Sequence, residues 1–371
     1  MKKIINKGSN LMYKSKVDES QLNIIDGMID WVRVVDKNNV VLYANKKMKE
    51  DLGDITGKLC YEVFCSEGRC DYCISKSTLH DGSILHKEAN INDRTYMVIS
   101  SPIKDKSDEI ICSVEVFRDI TNEKELTRKV REKNEKMSED INFARNMQIR
   151  MLPPKGMYNG LKLNYLYESS EQLSGDFFDV FKIDEENTGV YICDVVGHGV
   201  TASLLTVFVR QSLRTIAKGN MELNKIMKEL HKTFLSLNLD YDRYFSVFLG
   251  IYNKTTHEFK YINAGHNSEP ILLRSKGEIT LLNAKGYPIA NIFDNVKYEV
   301  KSIDLHVGDK LFLYTDGITE AANSEGIQYG IDRLIDIIKK KGNILDNLKI
   351  SLDDYCKAHK DDYAILMAEI I

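Results

Sequence analysis

The sequence predicts an α+β protein of two folded parts joined by one long helix. Three observations carry this. Residues 20–121 read as two hairpins with a short helical stretch between them. Residues 122–152 are densely charged and free of Gly and Pro until Pro153-Pro154 stop them. Beyond that point, apolar β-type runs end abruptly in Asp, beside glycine-marked turns.

At 371 residues the chain is long enough for two or three domains. Charged residues make up 29% and apolar ones 43%, ordinary for a globular protein. A formal net charge of −4 argues against nucleic acid as a partner. No apolar run reaches the roughly 18 residues that a membrane span needs. The start, Met1-Lys-Lys-Ile-Ile, has positive charge but no apolar stretch long enough for a signal peptide. A cytoplasmic location is therefore expected, with the seven cysteines as reduced thiols or metal ligands.

Residues 1–19 are expected to be a flexible N-terminus. Leu22, Ile25, Met28 and Ile29 then suggest a helix, and Trp31–Val35 and Val40–Tyr43 flank an Asp-Lys-Asn-Asn turn as a hairpin. Thr95–Ser100 and Ile110–Phe117 form the second hairpin. The order Trp31–Asp36, Val41–Asn45, Gly57-Lys58 and Val114–Thr121 resembles a PAS sensor domain over residues 20–121. That resemblance implies sensing or dimerisation and no particular ligand. Inside this part lie Cys60, Cys65, Cys70 and Cys73, spaced C-x4-C-x4-C-x2-C. Four thiolates so close in sequence can hold zinc or an iron–sulfur cluster. The spacing matches no standard framework, and the alternative is a core Cys60 with redox-active or incidental thiols around it.

In residues 122–152, Leu126, Val130, Met137, Ala144 and Met151 recur at spacings of four and seven. This thin stripe suggests a two-stranded coiled coil, interrupted by Lys133 and Asp140. A solvated linker helix is the alternative. The segment has no histidine, which excludes a phosphoacceptor helix of a histidine kinase.

Residues 153–371 carry four acidic sites at strand ends or turns: Asp176, Asp194, Asp316 and the pair Asp361-Asp362. Asp194 ends the run Val190–Cys193, and Gly197 and Gly199 bracket His198 before an apolar helical stretch, Ala202–Ala217. Any one of these acids can be a turn cap. Together they suit hard ions bound through oxygen, Mg²⁺ or Mn²⁺. Two such ions can activate a bridging water and clamp a phosphoryl group, which is the chemistry of phosphomonoester hydrolysis.

Residues 140–371 resemble the SpoIIE/RsbU-type branch of the PPM (type 2C) metal-dependent serine/threonine phosphatases. The matching stretches, in the family's order, begin with Ala144–Gln148, Leu152-Pro153, Ser174–Asp179 and Asp194–Gly199. Ala264–Asn267, Tyr314–Glu320 and Asp361-Asp362 complete them. The resemblance implies an α-β-β-α sandwich and two Mn²⁺ or Mg²⁺ ions. It implies ligation by Asp176, Asp194, Asp316 and Asp361 with the Val195 carbonyl, and Asp362 as second choice for the last ligand. Asp179 is expected to support the site rather than bind metal. The sequence departs from the family pattern at Ser174, Ala290 and Ala364, where Gly, Gly and Thr are usual. For His198, a general-acid role stands beside that of a hydrogen-bonded turn residue; His266 is expected to be structural.

Ser174-Gly-Asp-Phe-Phe178 also resembles the signature of diguanylate cyclases, but that reading lacks a Glu and leaves Asp194, Asp316 and Asp361 unexplained. A catalytically silent partner-binding scaffold is the second alternative. The family resemblance points to a homodimeric signalling phosphatase whose PAS part acts through the helix. Its expected substrate is a phosphoserine or phosphothreonine on a STAS-type anti-sigma-factor antagonist.

Overall fold

The computed structural model of the chain describes residues 19–64, 70, 72–170, 172–292, 296–356 and 361–371. Cys65 and most of the N-terminus lie outside the described residues. The chain divides into two compact units, Met1–Glu135 and Lys136–Ile371. No helix among the described residues is long and apolar enough to cross a membrane.

In the N-terminal unit, α1 (Glu19–Asp26) leads to the hairpin β1 (Trp31–Asp36) and β2 (Val41–Ala44). The Asp36 carboxylate accepts the N–H groups of Asn38 and Val40, and Asn39 takes the left-handed conformation that closes the turn. Helices α2 (Lys46–Leu52) and α3 (Ile74–Asp81) follow, then β3 (Leu85–Ile91), β4 (Arg94–Lys104) and β5 (Ile110–Asp119). The sheet is antiparallel in the order β2-β1-β5-β4-β3. Asn45 locks α2 to it: its Oδ1 accepts from Met48 and Val32, and its Nδ2 donates to the Asp30 carbonyl.

Trp31 stacks on Tyr96 with ring centroids 4.5 Å apart, at the centre of this unit's core. Beside it lies a buried ion pair. Arg33 Nε donates to Glu115 at 2.6 Å, Arg33 Nη1 donates to the Cys60 carbonyl, and Ser75 donates to the second Glu115 oxygen. The guanidinium also sits over the rings of Phe64 and Phe117. Removing one partner strands a charge, so Glu115→Ala should cost about 3–5 kcal/mol. The sole tryptophan of the chain, Trp31, reports on this unit alone. Urea unfolding followed by its fluorescence should show the midpoint fall, and fall less in Arg33→Met/Glu115→Leu.

Helix α4 (Thr121–Met151) starts where the Asp119 carboxylate accepts the Thr121 N–H and hydroxyl. Pairs four residues apart, such as Arg128–Glu132 and Arg131–Glu135, lace its surface. In the single chain Leu126, Val130 and Met137 are more than half exposed.

The C-terminal unit opens with β6 (Gly156–Tyr158), β7 (Leu161–Glu168), β8 (Asp176–Lys182) and β9 (Asn187–Val195). Helices α5 (Val200–Ile216) and α6 (Leu223–Leu235) come next. The strands β10 (Tyr244–Asn253), β11 (Glu258–Ala264), β12 (Ile271–Leu273) and β13 (Ile279–Leu281) follow. After β14 (Ile289–Ala290), β15 (Val300–Asp304) and β16 (Lys310–Tyr314) come the short α7 (Asp316–Thr319), α8 (Gly330–Ile338), α9 (Ile344–Tyr355) and β17 (Tyr363–Ile370). One sheet runs β15-β11-β10-β9-β8, with β14 on β10; the other runs β13-β12-β16-β17-β7-β6.

The period-two alternation of β-structure builds the layers. In β17, Ala364, Leu366, Ala368 and Ile370 join the core shared with β8, β9 and β10. Tyr363 and Ile365 instead meet α8 and α9 residues such as Leu334 and Leu348. In β16, Leu311 and Leu313 face one way, Phe312 and Tyr314 the other. Between the sheets, Tyr165 of β7 packs edge-on against Phe178 of β8, centroids 5.1 Å apart. On the outer face of the first sheet, Phe234 of α6 packs on Phe245 of β10. The result is an α-β-β-α sandwich.

Candidate active site

The site begins with register. Asp176, the first residue of β8, pairs directly with Asp194, next to the end of β9. Opposite residues of an antiparallel pair share a face, so the ladder itself puts these two carboxylates together. Asp179, an odd number of residues on, turns the other way. There its buried carboxylate takes two hydrogen bonds from Arg214, at 2.6 and 2.9 Å, and an ion pair with Arg210. It anchors α5 to the sheet.

Asp316 opens α7 directly after β16, and Asp361-Asp362 lead into β17, the neighbour of β16. Thr315 ties the two ends: its N–H donates to the Ala364 carbonyl and its hydroxyl accepts the Ala364 N–H. That hydroxyl also reaches the Asp176 carboxyl. A side chain at Gly317 would put its Cβ 1.8 Å from the Asp362 carbonyl oxygen, so only Gly admits this close approach. At Gly175 a Cβ would stand 2.8 Å from the Gly197 carbonyl and 2.9 Å from that of Val195, so the turn before Asp176 nests against the turn after Asp194.

The acidic pair divides its work. Asp362 is buried, and its carboxylate accepts from the Ser170 N–H, the Ser170 hydroxyl and the Gly175 N–H. It braces the turn that presents Asp176. Asp361 is exposed, and one oxygen accepts the Asp362 N–H. Ser174 does more than fill a glycine position: its hydroxyl accepts the Asp176 N–H, while Gln148 of α4 bonds its backbone on both sides.

Electrostatics set these acids apart from ordinary turn residues. Burial, then the nearby Asp194, Asp362 and Asp316, push the Asp176 carboxyl well above the usual carboxylate range; the Thr315 hydrogen bond opposes this. Burial, with Asp316, Asp361 and Asp362, raises Asp194 to about 7. Although the residue as a whole is exposed, partial desolvation of its carboxyl among its neighbours raises Asp361, helped by Asp316 and Asp362 and opposed by the Asp362 N–H and His198. The charges that act on Asp176 and Asp194 are those of their acidic neighbours. Among the described residues no three such groups are already drawn to ligand distance. An all-oxygen donor set of mutually repelling carboxylates nonetheless fits a hard divalent cation, whose charge relieves the repulsion.

The two histidines differ. His198 is exposed in the turn between Gly197 and Gly199, both at positive φ. His266 is buried; its Nε2 donates to the Tyr314 carbonyl at 3.0 Å and its Nδ1 accepts from Ser246, tying β10 to the end of β16. Burial lowers its pKa to about 4, so it stays neutral. Asn263 holds the same turn through both its amide atoms.

The profile of Stage II sporulation protein E (SpoIIE) matches residues 184–371, half of the chain. The chain belongs to the SpoIIE family. The SpoIIE match contains Asp194, Asp316, Asp361 and Asp362, with Asp176 just ahead of it, and a PAS domain matches residues 26–122. Phosphoserine phosphatase RsbU of Bacillus subtilis (strain 168) is 28% identical over 197 residues, covering 52% of this chain and 57% of that protein. Phosphoserine phosphatase RsbP of the same organism is 28% identical over 241 residues, covering 62% and 58%. The chain thus spans less than two thirds of the length of these curated relatives. Among solved structures, the PP2C domain of SiaA from Pseudomonas aeruginosa superposes with a TM-score of 0.55 at 18% identity, over 64% of this chain and 98% of that one. The RsbU and RsbW domains of Rv1364c from Mycobacterium tuberculosis give 0.51 at 21%, over 59% and 63%. At such identities the likeness is one of fold.

Proposed function

We propose that this chain is a protein serine/threonine phosphatase that hydrolyses a phosphomonoester with two Mn²⁺ or Mg²⁺ ions. Acidic residues gathered at strand ends, with burial and the neighbouring carboxylates raising Asp176, Asp194 and Asp361, are the observation that carries the reading. Asp176, Asp194, Asp316 and Asp361 are the ligands, with the Val195 carbonyl. Asp362 is set aside because its oxygens already serve Ser170 and Gly175. Ions held there would supply an activated water and neutralise charge on the phosphoryl oxygens. The protein's own residues hold the frame: Asp362 and Ser174 fix the turn before Asp176, Thr315 joins Asp176 to the β17 end, and His266 holds the end of β16. Exposed His198, close enough to Asp361 to oppose its raised pKa, is our candidate for protonating the leaving serine oxygen, beside its role as a turn residue. A cleft of about 360 Å³ lined by Ser169, Ser170, Lys349 and Asp361 leaves room for a substrate chain.

The SpoIIE/RsbU resemblance points to phosphoserine or phosphothreonine on a STAS-type anti-sigma-factor antagonist, in the cytoplasm. The PAS unit is the sensor, and the exposed stripe Leu126, Val130 and Met137 supports pairing of α4 in a homodimer. Activity of the full chain on p-nitrophenyl phosphate and on a phosphoserine STAS protein tests this, with Mn²⁺ and with EDTA. Phosphate release that requires Mn²⁺ is expected. No turnover of either substrate, with no Mn²⁺ binding by calorimetry, would instead indicate the silent scaffold.

A further inference from the structure

We propose that the N-terminal unit holds a zinc ion bound by the thiolates of Cys60, Cys70 and Cys73. The three side chains reach one cavity from different places in the chain. Cys60 follows the bridge between Leu59 and Val40, and its N–H donates to the Asn39 carbonyl. Cys73 is the residue at the start of α3, and its carbonyl accepts the Ser77 N–H. All three line a cavity of about 120 Å³ with Arg33, Glu115 and Phe64. That is too small for an organic cofactor, which takes roughly 300 Å³ or more. An ion and its ligand atoms fit.

The chemistry of the walls points the same way. Burial pushes the Cys60 thiol up to about 11; Arg33 opposes this, and Glu115, Cys73 and Cys70 add to it. The Arg33 charge is already committed to Glu115. What carries the site is the donor set: three thiols on one cavity can release their protons to solvent and bind a soft, doubly charged cation as thiolates. Cys60 and Cys73 do not face water freely, so they are poor candidates for chance surface thiols. Three thiolates leave one tetrahedral position for water or a further donor. Cys65, the fourth thiol of the spacing, lies outside the described residues. No three ligands are yet at binding distance among the described residues, so the ion must draw the thiols inward. Binding would thereby fasten the start of α3 to the β1–β2 hairpin, and stabilise the unit by mass action.

The full chain, purified without chelator under anaerobic conditions, tests this. Expected is about one zinc per chain by elemental analysis, and on Co²⁺ replacement a thiolate-to-cobalt charge-transfer band. Both should be lost in Cys70→Ser and in Cys73→Ser, and kept in Cys112→Ser. Trp31 fluorescence establishes that each variant is folded. Zinc retained in folded Cys73→Ser would place the ion elsewhere and overturn the proposal. So would a zinc-free wild type with freely alkylated thiols, a disulfide among these cysteines, or iron and sulfide in their place.

Discussion

Asp194→Asn should all but abolish Mn²⁺-dependent turnover while making the metal-free protein more stable. Disturbing the mere support of a metal ligand costs about 10–100-fold, and loss of a ligand should exceed that. The stability gain follows from the raised pKa of Asp194, about 7. In the unfolded chain an Asp titrates near the ordinary 3.8. Between those values the folded state binds more protons, so this residue's contribution to stability falls as pH rises through the window. The penalty is complete above about 7. Asn never ionises and avoids it. With EDTA present, the variant and wild type should melt together near pH 4 and part as pH rises, the variant leading by several degrees at pH 8. Added Mn²⁺ should raise the melting temperature of wild type only. A variant that melts below wild type at pH 8 in EDTA would show that Asp194 carries no such penalty.

Gly317→Ala should be among the most damaging single-methyl changes in the chain. The added carbon would lie 1.8 Å from the Asp362 carbonyl oxygen and 3.3 Å from the Tyr363 Cβ. The first neighbour is backbone in a buried strand start and cannot swing aside. A loss of more than about 4 kcal/mol is expected, or a drop of roughly 8 °C or more for a unit of this size. Gly326→Ala is the control: its φ of +80° makes alanine strained, yet no atom lies within 4 Å. That change should cost about 1–2 kcal/mol. Thermal unfolding by circular dichroism compares them. Equal, small losses would mean the β16–β17 junction can yield.

Much of this was legible because the elements concerned write themselves locally. Alternation placed Leu161–Tyr167 and the Tyr244–Asn263 hairpin close to the observed β7, β10 and β11. The Gly- and Pro-free run placed α4 within a residue at each end. The strand β3 escaped notice because Lys87 and Glu88 break its apolar rhythm, and only every second residue is even partly covered. The family resemblance ranks Asp361 ahead of Asp362, but the physical reason for dividing them is not in the local sequence. What distinguishes them is Ser170 and Gly175, 192 and 187 residues away, and such partners exist only once the sheets have formed. Gln148 bonding to Ser174 and Thr206 is of the same kind, a buried polar contact with no periodic signature.

The Asp176–Asp194 pairing bears on how such a protein can change over generations. Their proximity is fixed by which rung of the β8–β9 ladder each occupies, not by contact between the side chains. Substitutions along either strand leave the two carboxylates facing one another as long as the core still packs and the rungs stay aligned. Losing or gaining one codon inside β8 would turn one carboxylate to the opposite face at a single stroke. Lineages that keep the chemistry should therefore exchange core residues of these strands for others of similar size and vary in the loops elsewhere, while the residue count from Asp176 to the β8–β9 turn and back to Asp194 stays nearly constant.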